Sequence, residues 1–480
     1  MTFQPTQLPQ DLAPDETSLR YMMKLAGPMV VTTISFTVMQ FVDRLMVSRL
    51  GTDALAAILP ASVTSFLPGS FAIGVTASVG TFVSQHLGRG EKRQCSSYCW
   101  QSVYMGVAYF LVVVAVMWPT APALFRLMGY PPHIVELEVT YLRIMLYAQV
   151  IAVFIWSSGQ FFMGIHRPVI VMYAALCGQV VNVAANYVLI FGEFGFPEMR
   201  IAGAAWGTFI GMVVAVGIRL AMFLGEPINS EFNTRHTMKP DIRKMLDLLK
   251  VGFPAGLELM INVALWGVIL MALVVVFGRE ASAATSAVFS CTSISVMPVV
   301  GLRVALTAAV GKAIGAGRKK VAIRQTTICL RIALVYMGLV GLCFLLFRNG
   351  IMDAWASDDK AIEQKVIEAG SPMLILAAVY QVFHAARIIY SGALRGAGDT
   401  VWLAIVSAAA TVLILGLGGW LAVEFLPQIG PIGPWIAATL SVIAVSLANW
   451  RRFRSNKWME IDLFRRRPPA VPVEDEAAVE

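Results

Sequence analysis

Residues 51–93 read GTDALAAILPASVTSFLPGSFAIGVTASVGTFVSQHLGRGEKR, and a related stretch, residues 278–320, follows 227 positions later. In the ungapped alignment of the two stretches four glycines coincide, where chance would align about one. The coinciding pairs are Gly51/Gly278, Gly74/Gly301, Gly88/Gly315 and Gly90/Gly317. The two halves of the chain therefore share one internal plan, which is typical of a transporter built from two matched lobes.

The composition indicates a membrane protein. Of the 480 residues 58% are hydrophobic and 14% are charged, and the mean hydropathy is +0.71. A single soluble core cannot hide that much apolar surface, and uncharged runs of about 20 residues, long enough to span a bilayer, recur throughout. The chain is therefore predicted to be an all-α, polytopic membrane protein.

Apolar windows predict about twelve transmembrane helices, six in each half. Because each half has an even number of spans, the second half starts on the same side of the membrane as the first. The two lobes are thus expected to be parallel and pseudo-symmetric, with a central cavity between them. The predicted helices lie near residues 23–49, 55–87, 97–118, 136–164, 168–191, 201–224, 245–277, 281–314, 326–347, 364–392, 400–425 and 432–450.

Polar segments divide the chain into regions. The stretch between the halves is rich in Asn, Ser, Glu and Arg, which indicates a linker, and the C-terminal segment turns from basic to acidic. The predicted regions are an N-terminal segment at residues 1–22, an N-lobe at 23–225, a linker at 226–244, a C-lobe at 245–450 and a tail at 451–480.

Basic clusters set the expected orientation. They fall near residues 89–93, 235–250, 318–324 and 451–467, on loops that alternate to one side. The positive-inside rule then places both termini in the cytoplasm, and no cleaved signal peptide is expected. The net charge of +8 is interpreted as anchoring against anionic membrane lipid rather than as a nucleic-acid surface.

The sequence lacks the motifs of several other function classes. It has no GxxxxGK[ST] phosphate loop and no HExxH metal motif, and its six cysteines have no CxxC spacing. Neither an enzyme nor a bound cofactor is predicted. Energy for transport must then come from an ion gradient or from the gradient of the substrate itself.

Asp43 is the leading candidate for a cation-coupling residue. It lies in an otherwise apolar predicted helix, where an ionisable side chain costs about 3 kcal/mol on insertion scales and therefore suggests a function. The alternative is a carboxylate near the membrane interface that pairs with Arg44 or Arg49.

Three amide side chains follow on the fifth predicted helix. Gln179, Asn182 and Asn186 stand at positions i, i+3 and i+7 and so share one face. Amide oxygens suit a hard cation such as Na⁺, or hold a carboxylate and its proton in place. Alternatively, they bind neighbouring helices, a packing gain of roughly 0.5 to 2 kcal/mol each.

Short motifs recur in order along both halves of the chain. The first half contains Asp43 and the motifs GP at residues 27–28, GTDALAA at 51–57, GRG at 88–90, NVAANYVLIFG at 182–192 and GAAWGT at 203–208. The second half contains GFP at 252–254, VGKAIGAG at 310–317 and LRGAGDT at 394–400. In their order and duplication these motifs resemble those of the multidrug and toxic compound extrusion (MATE) transporters, and the resemblance covers most of residues 20–450.

The resemblance implies cation-driven export, in which H⁺ or Na⁺ enters as a small organic compound leaves. It implies a cation site at Asp43, Asn182 and Asn186, with Thr208 as a weaker member. Na⁺ is a possible metal ion there, although some relatives have Asp where Asn186 stands. It further implies a multi-pass protein of the plasma membrane, expected to act as a monomer.

The second half departs from the family pattern. Many relatives carry acidic residues where this chain has Asn262 and His384. Its other ionisable residues here are Glu258, Arg303 and Arg387. One interpretation is a structural ion pair of Glu258 with Arg303 or Arg387. The other is a basic cavity wall, in which His384 carries a proton and the arginines attract an anionic or zwitterionic compound.

Other functions remain open from the sequence. A flippase for lipid-linked sugars would also explain the basic second half, and a count of fourteen spans would favour it. An exporter of anionic metabolites is a further alternative. A channel would pass bulk ionic current without any exported compound.

Overall fold

The computed structural model describes residues 14–129, 131–353 and 360–464, and this part of the chain contains helices and no strands. Parts of the predicted N-terminal segment (residues 1–13) and of the predicted tail (465–480) lie outside it. Its long helices are α1 (Leu19–Ser48), α2 (Thr52–Gly88), α3 (Lys92–Leu127), α4 (Pro132–Gly164), α5 (Pro168–Phe191), α6 (Arg200–Leu224), α7 (Ile242–Val275), α8 (Arg279–Gly315), α9 (Lys319–Leu346), α10 (Lys360–Ala397), α11 (Thr400–Phe425) and α12 (Ile432–Arg454).

The helices confirm the predicted polytopic all-α fold. Eleven of them are long and apolar enough to cross a membrane, and α7, with 34 residues, is the twelfth long helix. The described residues thus hold twelve long helices rather than the fourteen that would have favoured a lipid-linked sugar flippase.

Several helices extend beyond their predicted ends. Helix α3 covers Lys92–Leu127 where 97–118 was predicted, and α10 runs to Ala397 where residue 392 was predicted as its end. Hydropathy windows miss such ends because polar residues continue a helix past its apolar stretch. The extension of α10 places Arg395 inside the helix.

The same helix pairs pack together in both halves. Helix α2 packs against α4, as α8 packs against α10; α3 packs against α4, as α9 packs against α10; and α1 packs against α5, as α7 packs against α11. Helices α1 to α6 therefore form one lobe and α7 to α12 a second lobe of the same plan. The lobes meet where α2 contacts α7 and α8, and where α1 contacts α8.

The glycines of the internal repeat have two structural roles. Gly51 and its equivalent Gly278 have φ angles of 104° and 102°, in the region that only glycine adopts readily, and each precedes a long helix. Gly88 and Gly315 instead allow the lobes to touch. A Cβ atom at either position would collide with backbone of the other lobe, at Lys312 and Gln85 respectively.

Replacing Gly315 with Val tests this contact. A side chain at position 315 would overlap the Gln85 carbonyl, so we expect a lower melting temperature in detergent and weaker transport. The matched control is Gly338→Val on α9, because a Cβ atom there meets nothing within 4 Å. Equal effects of the two substitutions would contradict a close contact between the lobes at Gly315.

The lobes are closed at the end of the molecule that bears the first residues of α1 and the last of α12. There the Thr81 hydroxyl donates to the Arg395 carbonyl at 2.9 Å, and the Gln85 amide donates to the Gly396 carbonyl at 2.9 Å. His166, in the loop before α5, bonds the Ala308 carbonyl at 3.3 Å. Burial, together with the charge of Lys312, lowers the pKa of His166 to about 4, so its ring is neutral at physiological pH.

Segments outside the membrane helices add to this closure. Glu16 precedes α1 and pairs with Lys312 of the second lobe at 3.0 Å. From the other side, Asp462 follows α12 and contacts Arg89 of the first lobe at 3.4 Å. The Arg89 guanidinium also lies 4.0 Å from the centre of the Phe464 ring. The segment before α1 thus contacts the second lobe, and the segment after α12 contacts the first lobe.

Candidate functional site

Asp43 lies beside the predicted amide residues in the N-lobe. Its Oδ1 atom accepts a hydrogen bond from Asn186 Nδ2 at 2.8 Å. One turn away on α5, Asn182 Nδ2 lies 3.3 Å from the Thr208 hydroxyl of α6. The structure therefore brings together four of the predicted cation-site residues, from three helices.

The amide oxygens of this group have no hydrogen-bond partner. Asn182 and Asn186 are both buried, and the Oδ1 atom of each is unpaired among the described residues. An unsatisfied buried polar atom costs about 1 to 3 kcal/mol. Because Asn186 turns its NH₂ group to the carboxylate of Asp43, its oxygen lies against Gly207 of α6. Carboxylate, amide and hydroxyl oxygens form a donor set that fits Na⁺.

Asp43 does not form the predicted alternative ion pair. Arg44 and Arg49 are both exposed, and the described ion pairs include neither with Asp43. Asp43 itself is half-buried, near the last turn of α1, in the half of the molecule away from the closed end. The carboxylate is therefore partly exposed and lies away from the contacts that tie the lobes together.

Glycines of α6 make room for the amide side chains. A Cβ atom at position 207 would overlap Asn186 Oδ1 and would lie 2.8 Å from the Asn186 backbone nitrogen, and one at position 211 would lie 2.7 Å from Asn182 Cβ. The spacing of Gly203, Gly207 and Gly211 predicts close helix packing, which the structure bears out. The sequence did not reveal that Gly207 positions a site residue, since a glycine carries no functional group.

Gly207→Ala is expected to weaken cation binding and also to lower the melting temperature, because the added methyl group would lie 2.8 Å from the Asn186 backbone nitrogen and would push α5 and α6 apart. The added methyl group must displace the Asn186 side chain from Asp43, which removes a hydrogen bond to a charged group, worth about 1.5 to 3 kcal/mol. The shift in melting temperature on adding Na⁺ or on lowering the pH measures this loss. Gly217→Ala, on the same helix and in open space, is the control. Identical cation responses in both variants would contradict the assignment.

Gln179 does not join this group. It lies two turns before Asn186 on α5, is only partly buried, and makes no hydrogen bond to another site residue among the described residues. A cation-coupling role for Gln179 remains a prediction from its position on the helix face.

The predicted partner of Glu258 in the C-lobe is wrong. Glu258 Oε2 pairs with Arg395 Nη2 at 2.6 Å, not with Arg303 or Arg387, and the two side chains are only 11% and 13% exposed. The helix predicted near residues 364–392 ended before Arg395, so Arg395 was not considered as a partner. Since α10 continues to Ala397, Arg395 lies on the same helix less than one turn beyond residue 392.

The other C-lobe candidates lie in two small clusters. Asn262 Nδ2 donates to the Ser407 hydroxyl of α11 at 3.1 Å. On α10, His384 Nε2 lies 3.4 Å from Arg387 Nη2, and His384 is buried. Because a guanidinium only donates, His384 accepts this hydrogen bond and its ring is neutral in this arrangement. The proton-carrier role of His384 stays a prediction.

A cavity of about 40 Å³ lies between the lobes. Ser78 and Thr81 of α2 and Gln160 of α4 line it from the N-lobe, and Arg303 and Arg395 line it from the C-lobe. Of the predicted basic wall, Arg303 therefore reaches the interlobe cavity, while His384 and Arg387 are not among its lining residues.

Comparisons with known proteins agree with this architecture. The MatE family model matches residues 28–188 and 254–419, one segment in each lobe. A probable multidrug resistance protein NorM of Chromobacterium violaceum is 29% identical over 443 residues, which cover 89% of this chain and 92% of the relative. One of Mesorhizobium japonicum is 28% identical over 447 residues, 90% of this chain and 94% of the relative.

Solved structures show the same fold. An outward-facing multidrug resistance MATE family transporter of the MOP superfamily superposes with a TM-score of 0.83 at 21% identity, covering 91% of this chain and 96% of its own. A MOP superfamily transporter from Pyrococcus furiosus, described as having reverse polarity of its binding pocket, has a TM-score of 0.83 at 20% identity and covers 92% and 96%. The motifs, the two-lobe fold and the match in both halves lead to one conclusion: the chain belongs to the MatE family of multidrug and toxic compound extrusion transporters.

Proposed function

We propose that this protein is a cation-coupled antiporter that exports small organic compounds by alternating access. The observation that carries the proposal is the contact of Asp43 with Asn186, beside two buried amide oxygens that have no hydrogen-bond partner in the part of the chain that the structure describes. A carboxylate held within a membrane lobe by an amide is suited to bind H⁺ or Na⁺ and release it again. The names of the NorM relatives, probable multidrug resistance proteins, support export of foreign compounds.

The arrangement of the lobes suggests which state the structure represents. The positive-inside rule places the closed end, with both termini, in the cytoplasm. Asp43 then opens towards the outside, where a driving cation would enter. Cation binding there would favour release of the exported compound and return of the lobes to the inward-open state. We propose that a single chain in the plasma membrane suffices, since it contains both lobes.

The ion is H⁺, Na⁺ or both. Asp43 alone supports proton coupling, because it can be protonated. The neighbouring amide and hydroxyl oxygens support Na⁺, which needs several oxygen ligands. With Asn rather than Asp at position 186, the site has one carboxylate, so a bound Na⁺ would be neutralised by Asp43 only.

Flux from proteoliposomes tests the proposal. Purified protein is reconstituted, the vesicles are loaded with a fluorescent organic compound, and efflux is followed under an imposed H⁺ gradient, an imposed Na⁺ gradient, and neither. We expect efflux only with a gradient, and the effective gradient identifies the coupling ion. Equal efflux with and without gradients would contradict coupling, and ionic current without any transported compound would indicate a channel.

A lipid-linked sugar flippase remains the second candidate. The basic residues of the C-lobe are the observation in its favour, since such a cargo bears pyrophosphate. The twelve long helices count against it. Scrambling of a fluorescent pyrophosphate lipid between leaflets, without gradient-driven efflux of soluble compounds, would support this candidate instead.

A further inference from the structure

The cavity between the lobes is charged on one side only. Its N-lobe wall consists of small and neutral polar side chains, among them Ser78, Thr81 and Gln160. Its C-lobe wall contributes the guanidinium groups of Arg303 and Arg395. No acidic residue is among those that line it. A bound molecule would therefore meet hydrogen-bonding groups on one side and positive charge on the other.

The positive charge of the C-lobe interior exceeds the negative charge. Glu258 neutralises Arg395, with 2.6 Å between Oε2 and Nη2. Arg387 Nη2 lies 3.4 Å from the His384 ring, and its Nε atom is buried without a hydrogen-bond partner among the described residues. Arg303 has neither an ion pair nor a side-chain hydrogen bond within the described ranges. Of these three guanidinium groups, only that of Arg395 thus forms a direct ion pair with Glu258 in the described part of the chain.

Helix packing holds Arg303 at the cavity. A Cβ atom at position 392 of α10 would come within 2.8 Å of Arg303 Cγ, so Gly392 leaves the space through which the arginine stem passes. The Thr307 hydroxyl, one turn along α8, donates to the Gly392 carbonyl at 3.0 Å and keeps the two helices together at this point. The guanidinium position is therefore determined by the contact of α8 with α10.

An uncompensated cation in a membrane protein is costly, and the cost falls when an anion binds. The planar guanidinium group binds carboxylate, phosphate or sulfonate oxygens through two parallel hydrogen bonds. A purely cationic compound would instead be repelled by Arg303. These charges determine which class of compound the cavity favours.

We propose that the interlobe cavity recognises its substrate through an anionic group, such as a carboxylate, phosphate or sulfonate, bound by Arg303. The inference rests on the proposed export function and specifies its substrate class. In the present state the cavity holds little more than a water molecule, so the compound binds when the lobes part at the end that bears the termini. Closure of that end then leaves no room for the compound beside Arg303.

Two xanthene dyes of similar size and opposite charge test the inference. Carboxyfluorescein is the anionic probe and rhodamine 123 the cationic probe. Binding of each dye to the purified full-length protein is measured by fluorescence anisotropy, and efflux of each is measured in proteoliposomes under H⁺ and Na⁺ gradients. We expect carboxyfluorescein to bind and to be exported in preference to rhodamine 123.

Variants at position 303 distinguish an effect on binding of the anionic dye from an effect on the stability of the protein. We expect Arg303→Gln to lower carboxyfluorescein affinity about 10- to 100-fold, as for loss of a charge-assisted hydrogen bond, and Arg303→Lys to retain part of it. Arg331→Gln on α9, an exposed arginine in the same lobe, is the matched control and should bind as the native protein does. Melting temperatures confirm that each variant is folded.

The outcomes distinguish the two proposals. Preferential binding and export of rhodamine 123 would overturn the anionic substrate class and leave the antiport proposal standing. Equal loss of both dyes in Arg303→Gln would also overturn it, because the residue would then act through the structure. Binding of carboxyfluorescein that depends on Arg303, without any gradient-driven flux, would support the substrate class and contradict antiport.

Discussion

Asp43→Asn is expected to abolish gradient-driven export while leaving the protein folded. Asn matches the shape of Asp but carries no charge, so it neither binds a proton nor neutralises Na⁺. The lost interaction with a charged group corresponds to about 1.5 to 3 kcal/mol, or roughly a 10- to 100-fold loss of cation affinity. Efflux from proteoliposomes should therefore fall to the rate seen without a gradient.

Arg44→Gln is the matched control for this substitution. Arg44 is the next residue on α1 but is exposed and does not pair with Asp43, so its loss changes the local charge without touching the site. Efflux coupled to the gradient should persist in this variant. Native coupling in Asp43→Asn would contradict the assignment of Asp43, and loss of coupling in both variants would indicate a general effect of charge on α1.

Glu258→Gln is expected to cause the largest loss of stability. The substitution leaves Arg395 without its partner in a site where both side chains are nearly buried. Removing one member of a buried ion pair costs about 3 to 5 kcal/mol. Thermal unfolding of the purified protein in detergent should show a clear decrease in melting temperature.

The double variant Glu258→Gln/Arg395→Gln identifies the cause. It removes both charges, so we expect much of the lost stability to return. Glu193→Gln, at an exposed carboxylate of the first lobe, should leave the melting temperature unchanged. A double variant less stable than Glu258→Gln alone would show that Arg395 contributes through contacts other than this pair.

The N-lobe site could be predicted in large part from the sequence because its residues are polar side chains in otherwise apolar helices. Asp43 is an ionisable residue in an apolar helix, and Asn182 and Asn186 share a face of another. The role of Gly207 could not be predicted in this way. It depends on how closely α6 approaches α5, and that distance results from the packing of whole helices.

The partner of Glu258 in the C-lobe could not be predicted, because it also depends on how helices pack. Hydropathy ends α10 at residue 392, before Arg395, and the partner of Glu258 was predicted to be Arg303 or Arg387. Backbone hydrogen bonding carries the helix further, which brings Arg395 to Glu258 instead. Which arginine a glutamate pairs with depends on helix ends and rotation, and hydropathy measures neither.

The sequence by itself determined the membrane-spanning class, the twelve long helices, the two-lobe repeat and four residues that meet in the N-lobe, Asp43, Asn182, Asn186 and Thr208. These follow from local composition and from periodicity, which act along the chain. Only the tertiary structure decided that Gly88 and Gly315 allow contact between the lobes, that the lobes close at the end where α1 begins and α12 ends, and that Glu258 pairs with Arg395 rather than with Arg303. Those features depend on distances between residues far apart in the chain, which packing alone determines.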